Sequence, residues 1–351
     1  MRKGLWLAAA AILLAVPAAS SAEPAHVGYP SSIASTGDSI TRAFNTCPFP
    51  FVDCPRNSWS TGSSSAVNSH YLRILAANPA ISGRSFNDAQ TGAKMADLAN
   101  QVAPAIAQHV GYVTVLMGAN DVCTSSVATM TATTTLAAQL RGALQTLSGG
   151  LPNARIFVAS IPNVYRLWQI LHTNFFAVLT WDIADICHSL LANPTSTAPA
   201  DVARRRQVYD RAVADNAAIA NVCARFVHCR FDGNAAFNVQ FTTGDVSTRD
   251  YFHPSVSGQA KSAAATWAAT FDFHDGVAPV SSATTAPDPN GGTDVTLSAT
   301  DNAGVAGIEY AFGSASYQRY AGTIDVPAGV TLTYRAVDVN GNTESTHTLT
   351  G

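Results

Sequence analysis

Ser39 follows directly on Gly37-Asp38, behind a short strand-like run at residues 33–36. A serine on a tight strand-to-helix turn stands at the carboxyl end of a strand and near a helix N-terminus, a place suited to a nucleophile. Far downstream, Asp250-Tyr251-Phe252-His253-Pro254 precedes a helical stretch. An Asp three residues before a His can turn back to accept the Nδ1 proton, leaving Nε2 free to take a proton from a serine hydroxyl. The carboxylate then fixes the tautomer and stabilises the imidazolium that forms. Taken singly, each pattern has a plainer reading. Gly-Asp-Ser is a common turn sequence, and Asp-x-x-His also suits a capping Asp beside an incidental His, or a metal pair.

The elements that must position these residues follow from the apolar pattern. Residues 112–117 are a continuous apolar run, as expected for a strand buried on both faces of a parallel sheet, and the run ends in Gly118-Ala119-Asn120-Asp121. Residues 85–92 read as a short strand leading into a turn that closes on Gly92, and residues 156–160 as a further buried strand. Helical patterns cover residues 67–77 and 93–108, a Thr/Ala-rich segment reaching 147, then 203–225 and 255–271, with a strand at 227–231. Strands alternating with helices predict an α/β fold with a doubly wound parallel sheet. Its ligands bind outside the carboxyl ends of the strands, where the stretches around Ser39, Gly92, Asn120 and His253 converge.

Four blocks in this order resemble the SGNH (GDSL) hydrolase family over residues 31–271. They are Gly37-Asp38-Ser39-Ile40, with Ile where the family name has Leu, then residues 87–92, Gly118-Ala119-Asn120-Asp121, and Asp250 to His253. The run Ser160-Ile161-Pro162-Asn163-Val164-Tyr165-Arg166-Leu167-Trp168 is similar to the phospholipase-B-like branch. The resemblance implies a flavodoxin-like three-layer fold with a central parallel sheet. It also implies Ser39 as nucleophile, His253 as general base and then acid, and Asp250 as its orienter. The oxyanion hole would be the backbone N–H groups of Ser39 and Gly92 with the side-chain amide of Asn120. No metal or organic cofactor is implied. The chain departs from the pattern in a polar first strand, Ser31-Ser32-Ile33-Ala34-Ser35, and a short histidine block.

The remaining features bound the context. Met1-Arg2-Lys3, an apolar run at residues 5–16 and small residues at 18–22 describe a secretory signal peptide over residues 1–22. The product is expected to be extracellular, with no transmembrane segment and as a monomer. All six cysteines follow that segment, and an even count in an exported chain reads as disulfides. Closeness in sequence favours Cys47–Cys54 and Cys223–Cys229, leaving Cys123–Cys187; no Cys-x-x-Cys or paired Cys/His spacing supports zinc instead. With a net charge of −3 and only 12% charged residues, and no cationic cluster beyond Arg204-Arg205-Arg206, nucleic acid is excluded as an expected partner.

Residues 164–191 are strongly apolar and aromatic, with Tyr165, Trp168, Phe175, Phe176 and Trp181. They form either a wall for an acyl chain or simply part of the core. Composition shifts near Asp275. Residues 277–293 read as a boundary, and period-two runs at 295–299, 307–312 and 330–337 suggest a small antiparallel sandwich. The expected organisation is therefore a hydrolase domain at 23–275 and a β-sandwich at 276–351. The latter resembles Ig-like modules of bacterial secreted enzymes, which contact a surface or polymer or act as spacers. The expected activity is lipase- or phospholipase-type ester hydrolysis on an ester or lipid substrate. A carbohydrate O-deacetylase is the enzymatic alternative and a non-catalytic surface-binding protein the other.

Overall fold

The computed structural model describes residues 28–289 and 291–351, so the expected signal peptide lies outside the described residues. Five parallel strands form the central sheet in the order β2 (Ser85–Asn87), β1 (Ile33–Gly37), β3 (Tyr112–Leu116), β4 (Arg155–Ala159) and β5 (Cys229–Phe231). This is the doubly wound order expected, and the chain reverses direction across the sheet between β1 and β3. Helices α1 (His70–Ala77) and α9 (Val256–Ala269) pack together on one face of the sheet, where buried His70 bonds Tyr112 at 3.0 Å and Thr266 at 2.9 Å. The other face carries α2 (Leu98–Ala107), α4 (Thr133–Gly150) and α8 (Pro199–Cys223), packed in series. The strands β1, β3 and β4 are buried along their whole length.

The polar first strand has a physical explanation. Ser35 Oγ lies 2.9 Å from Thr61 Oγ1, and Thr36 Oγ1 donates to the Thr114 carbonyl at 3.2 Å, so the buried hydroxyls are paired. Gly37 has φ +149°, and a Cβ there would sit 2.4 Å from the Leu116 carbonyl oxygen. Its own N–H and C=O are both bonded by the buried Gln101 amide, at 2.7 and 2.9 Å.

A smaller layer stands over the carboxyl ends of the strands. It comprises α3 (Ala119–Val122), α5 (Val164–Leu171), α6 (Phe175–Ile183) and α7 (His188–Leu191), whose buried side chains form a second apolar cluster with Trp181 and Val246. Disulfides join Cys47 to Cys54, Cys123 to Cys187 and Cys223 to Cys229.

The C-terminal part is two antiparallel sheets, of three and four strands, packed as a sandwich around Val295, Val326, Leu332 and Ala336. One holds β6 (Val280–Pro287), β7 (Thr293–Thr300) and β10 (Ile324–Val326); the other holds β8 (Val305–Phe312), β9 (Gln318–Arg319), β11 (Thr331–Asp338) and β12 (His347–Thr350). The middle of the stretch that composition marks as a boundary is strand β6, paired with β7 over its whole length. Its Ser/Thr-rich composition reflects an exposed edge strand rather than a linker.

Candidate active site

Ser39 sits two residues beyond the end of β1 and Asn120 four beyond the end of β3, flanking the point where strand order reverses. That is where an open α/β sheet forms a crevice. The turn at Ser39 is closed by Arg42 N–H to Asp38 C=O and Phe44 N–H to Ser39 C=O, each 3.0 Å. The expected helix does not follow; the chain continues as a loop to Cys54, and Ala43 and Asn45 have positive φ.

Asp38 is buried directly behind the serine. Its Oδ1 accepts Ile40 N–H at 2.8 Å, whereas Oδ2 has no partner. Burial, with the Asp121 charge adding to it, pushes its pKa up to about 7, against the lowering effect of the Ile40 N–H and the His253 charge.

The loop before α9 brings in the other two residues. Ser247 N–H bonds the His253 carbonyl at 2.8 Å and Tyr251 N–H bonds the Ser247 carbonyl at 2.9 Å, folding residues 247–253 back on themselves. In that fold Asp250 Oδ1 accepts the N–H groups of Phe252 and His253, at 2.9 and 3.1 Å. Asp250 Oδ2 accepts His253 Nδ1–H at 2.7 Å and the Asn45 amide at 2.5 Å. Burial raises the Asp250 pKa, but the bonds and charge of His253 and the two backbone donors more than offset it, so the carboxyl is held below its ordinary range. With Nδ1–H committed to Asp250, His253 Nε2 is left as the acceptor for Ser39 Oγ–H, 2.8 Å away. The imidazole is held between two rings, Phe44 at 4.9 Å and Phe252 at 5.1 Å.

Asn120 lines the same cleft as Ser39, and its amide is oriented by a 2.9 Å bond to the Ala93 carbonyl. The loop carrying Gly92 is pinned beside β1 by Asp88 N–H to Ser35 C=O and Gln90 N–H to Gly37 C=O. Gly92 has φ +83° with open space where a Cβ would be, so glycine is needed there for backbone conformation. At Gly118, by contrast, a Cβ would meet Ile161 Cδ1 at 2.5 Å. Asp121 ties the two loops by accepting Met95 N–H at 2.8 Å.

The cleft above Ser39 is walled by Ile40, Val164, Leu167, Ile170, Phe241 and Phe252, and its volume is about 60 Å³. The aromatic segment therefore divides. Residues of α5 face the cleft and Trp181 is core, whereas Phe175 and Phe176 are 71% and 63% exposed and do not line the cleft. Trp181 bonds the Tyr251 carbonyl at 3.0 Å, so α6 braces the histidine loop, and the Cys123–Cys187 bridge ties α7 to the chain just after α3.

The sequence reading missed Asn45. It bonds Asp250 from 205 residues away and also accepts Phe51 N–H at 2.5 Å, and nothing in its neighbourhood marks it. Among the described residues one acidic cluster could hold a metal. Asp275, Asp301 and Asp338 bring carboxylate oxygens within 4.8 Å of one another, but beside the C-terminal sandwich rather than at Ser39. Asn340 and Asn342 already donate to it.

The model of the GDSL-like lipase/acylhydrolase family matches residues 36–261, more than half of the chain. The chain belongs to that family. It is thus an ester hydrolase, with the parallel-sheet fold described above. Among solved structures it is similar to a GDSL-like lipase from Parabacteroides merdae, at 17% identity over 70% of this chain and 98% of that one, TM-score 0.43. It is also similar to phospholipase A1 from Streptomyces albidoflavus, at 17% identity over 70% and 100%, TM-score 0.40. No curated protein matches it. No helix among the described residues is long and apolar enough to cross a membrane.

Proposed function

We propose that this family member is a secreted lipase- or phospholipase-type serine hydrolase that releases fatty acid through an acyl-enzyme on Ser39. The observation that carries the proposal is the unbroken hydrogen-bond chain from Ser39 Oγ through His253 to Asp250. Ser39 Oγ attacks the ester carbonyl carbon while its proton passes to His253 Nε2. The carbonyl π pair moves onto oxygen, held by Ser39 N–H, Gly92 N–H and the Asn120 amide. As the tetrahedral intermediate collapses, the bond to the alkoxide breaks and His253 gives it the proton. A water molecule then repeats the sequence on the acyl-enzyme, freeing the acid and Ser39.

A lipid substrate is supported by the apolar walls of the cleft and by exposed apolar side chains beside it. Phe49, Phe51 and Val52 stand on the loop that carries Asn45, and Phe175, Phe176, Leu179 and Ile183 on α6; both segments bond the Asp250–His253 loop. Exposed apolar groups concentrated this way mark a surface for lipid. The small volume of the cleft, about 60 Å³, favours a second reading, O-deacetylation of glycans, because a long chain would have to extend beyond it. Three disulfides support secretion, the boundary of the hydrolase domain falls at residue 275, and residues 276–351 act as an Ig-like spacer or surface-contact module.

Hydrolysis of nitrophenyl esters from acetyl to palmitoyl, phosphatidylcholine and acetylated xylan tests both readings. Ser39→Ala should lower kcat by roughly 10⁴-fold or more. Preference for long chains or phospholipid supports the lipase, acetyl-only activity the deacetylase. Activity retained in Ser39→Ala would overturn the mechanism.

A further inference from the structure

A second cavity, of about 710 Å³, lies between the hydrolase domain and the C-terminal sandwich, within the range of small-molecule sites. One wall is the end of α4 and the segment joining α8 to β5, with Arg141, Arg225 and His228; the other is the β8–β9 hairpin and β11, with Tyr317, Arg319 and Arg335. These connections enter the sheet at the amino ends of β4 and β5, so the cavity is at the opposite edge from Ser39, which follows the carboxyl end of β1.

The walls are held in place by Arg335. It bonds Glu309 at 2.6 Å within the sandwich and reaches across to Asn153 Oδ1 at 2.7 Å and the Pro152 carbonyl at 2.9 Å. Glu309 is the sole carboxylate lining the cavity, and Arg335 takes it. Arg141, Arg225 and Arg319 are left without an ion pair among the described residues. Polar atoms are also left over inside. Arg141 Nε and both ring nitrogens of His228 are buried with no hydrogen-bond partner; His228 is 4% exposed, and its Nε2 stands 3.7 Å from Glu309, beyond bonding distance.

Buried donors are seldom left without acceptors. A concave wall that carries three guanidinium groups without a carboxylate partner, Arg141 half-buried and Arg225 and Arg319 exposed at its rim, attracts an anion, and guanidinium takes a carboxylate by two parallel bonds. The rest of the lining mixes hydroxyl and amide groups, including Gln145, Ser148 and Gln318, with apolar surface from Pro152, Phe226 and Val227, a mixture that matches the hydroxyl edges and apolar faces of sugar rings. Separate cations around a concave pocket, without a basic stripe leading away, favour a short carboxylated chain over nucleic acid.

We propose that this interdomain cavity binds a carboxylate-bearing oligosaccharide, anchoring the enzyme to acidic polysaccharide while the cleft at Ser39 stays free. The test is calorimetric titration of the full mature chain with trigalacturonate, maltotriose, inorganic sulfate and a short single-stranded oligonucleotide. Trigalacturonate should bind, more weakly as salt rises to about 0.3 M, where charges are screened beyond a few ångströms. The combined variant Arg141→Gln, Arg225→Gln, Arg319→Gln should weaken it at least ~10-fold, as expected for lost charge-assisted bonds, with nitrophenyl ester hydrolysis unchanged. Should that variant fail to fold, the exposed Arg225→Gln alone should still weaken binding several-fold. Binding that is absent, matched by maltotriose, unaffected by the arginine variants, or exceeded by sulfate or the oligonucleotide would overturn the proposal.

Discussion

Replacing Asp250 by Asn should cost more than a charge, because of how the four donors around this carboxylate are fixed. Two are the backbone N–H groups of Phe252 and His253, on Oδ1; neither can become an acceptor. The other two, on Oδ2, are His253 Nδ1–H and the Asn45 amide. An Asn side chain has one oxygen and one NH₂. The NH₂ cannot face the backbone pair without leaving two buried donors unmatched, so it is driven to the Oδ2 position. There it donates to His253 Nδ1, which moves the ring proton to Nε2. A protonated Nε2 donates to Ser39 Oγ and can no longer take its proton.

The wrong tautomer lowers kcat by ~10⁴, or about 5 kcal/mol of activation free energy, with KM changed far less. Steady-state hydrolysis of a nitrophenyl ester at neutral pH measures the loss, and nitrogen NMR of the labelled imidazole reports the tautomer directly. Nδ1–H is expected in the wild type and Nε2–H in Asp250→Asn. An Asn variant that keeps Nδ1–H, or stays within about tenfold of wild-type kcat, would refute the donor-matching argument.

Two further outcomes follow from the same site. Asn120→Ala removes a neutral donor from the proposed oxyanion hole and should reduce kcat by ~10²–10³ with little change in KM; an effect confined to KM would assign Asn120 to substrate binding. Asp38, with its pKa raised to about 7 by burial, keeps its proton in the folded chain between roughly pH 4 and 7 while the unfolded chain loses it. It therefore costs stability increasingly as pH rises through that window, on the order of 4 kcal/mol by pH 7. Asp38→Asn keeps the acceptor for Ile40 N–H and should gain stability over wild type at pH 7 compared with pH 4, measured by urea unfolding at both. An equal difference at the two pH values would show that Asp38 is ionised in the native protein.

The alternation of buried strands and helices was legible in the sequence because residues such as 112–117 are apolar on both faces, a pattern that only a covered parallel strand satisfies. Local spacing also carried Asp250 and His253, since an i, i+3 pair on a folded-back loop meets whatever surrounds it. Gly37 and Gly118 were legible because each has a positive φ that glycine meets locally, although contacts from Leu116 and Ile161 also leave no room there for a Cβ.

What depended on contacts across the fold was not. The polar β1 is stable because Thr61 and Thr114, from elsewhere in the chain, take its hydroxyls. Asn45 is a partner of Asp250 only because the loop before α9 packs against the first loop of the chain. Phe175 and Phe176 have the composition of core, yet they stand in solvent because the opposite face of α6, through Trp181, is the one the histidine loop covers. Residue type pointed to Ser39, Asp250 and His253 and to the sheet that positions them. Tertiary structure decided which donors surround each buried charge, and that depends on packing between segments hundreds of residues apart.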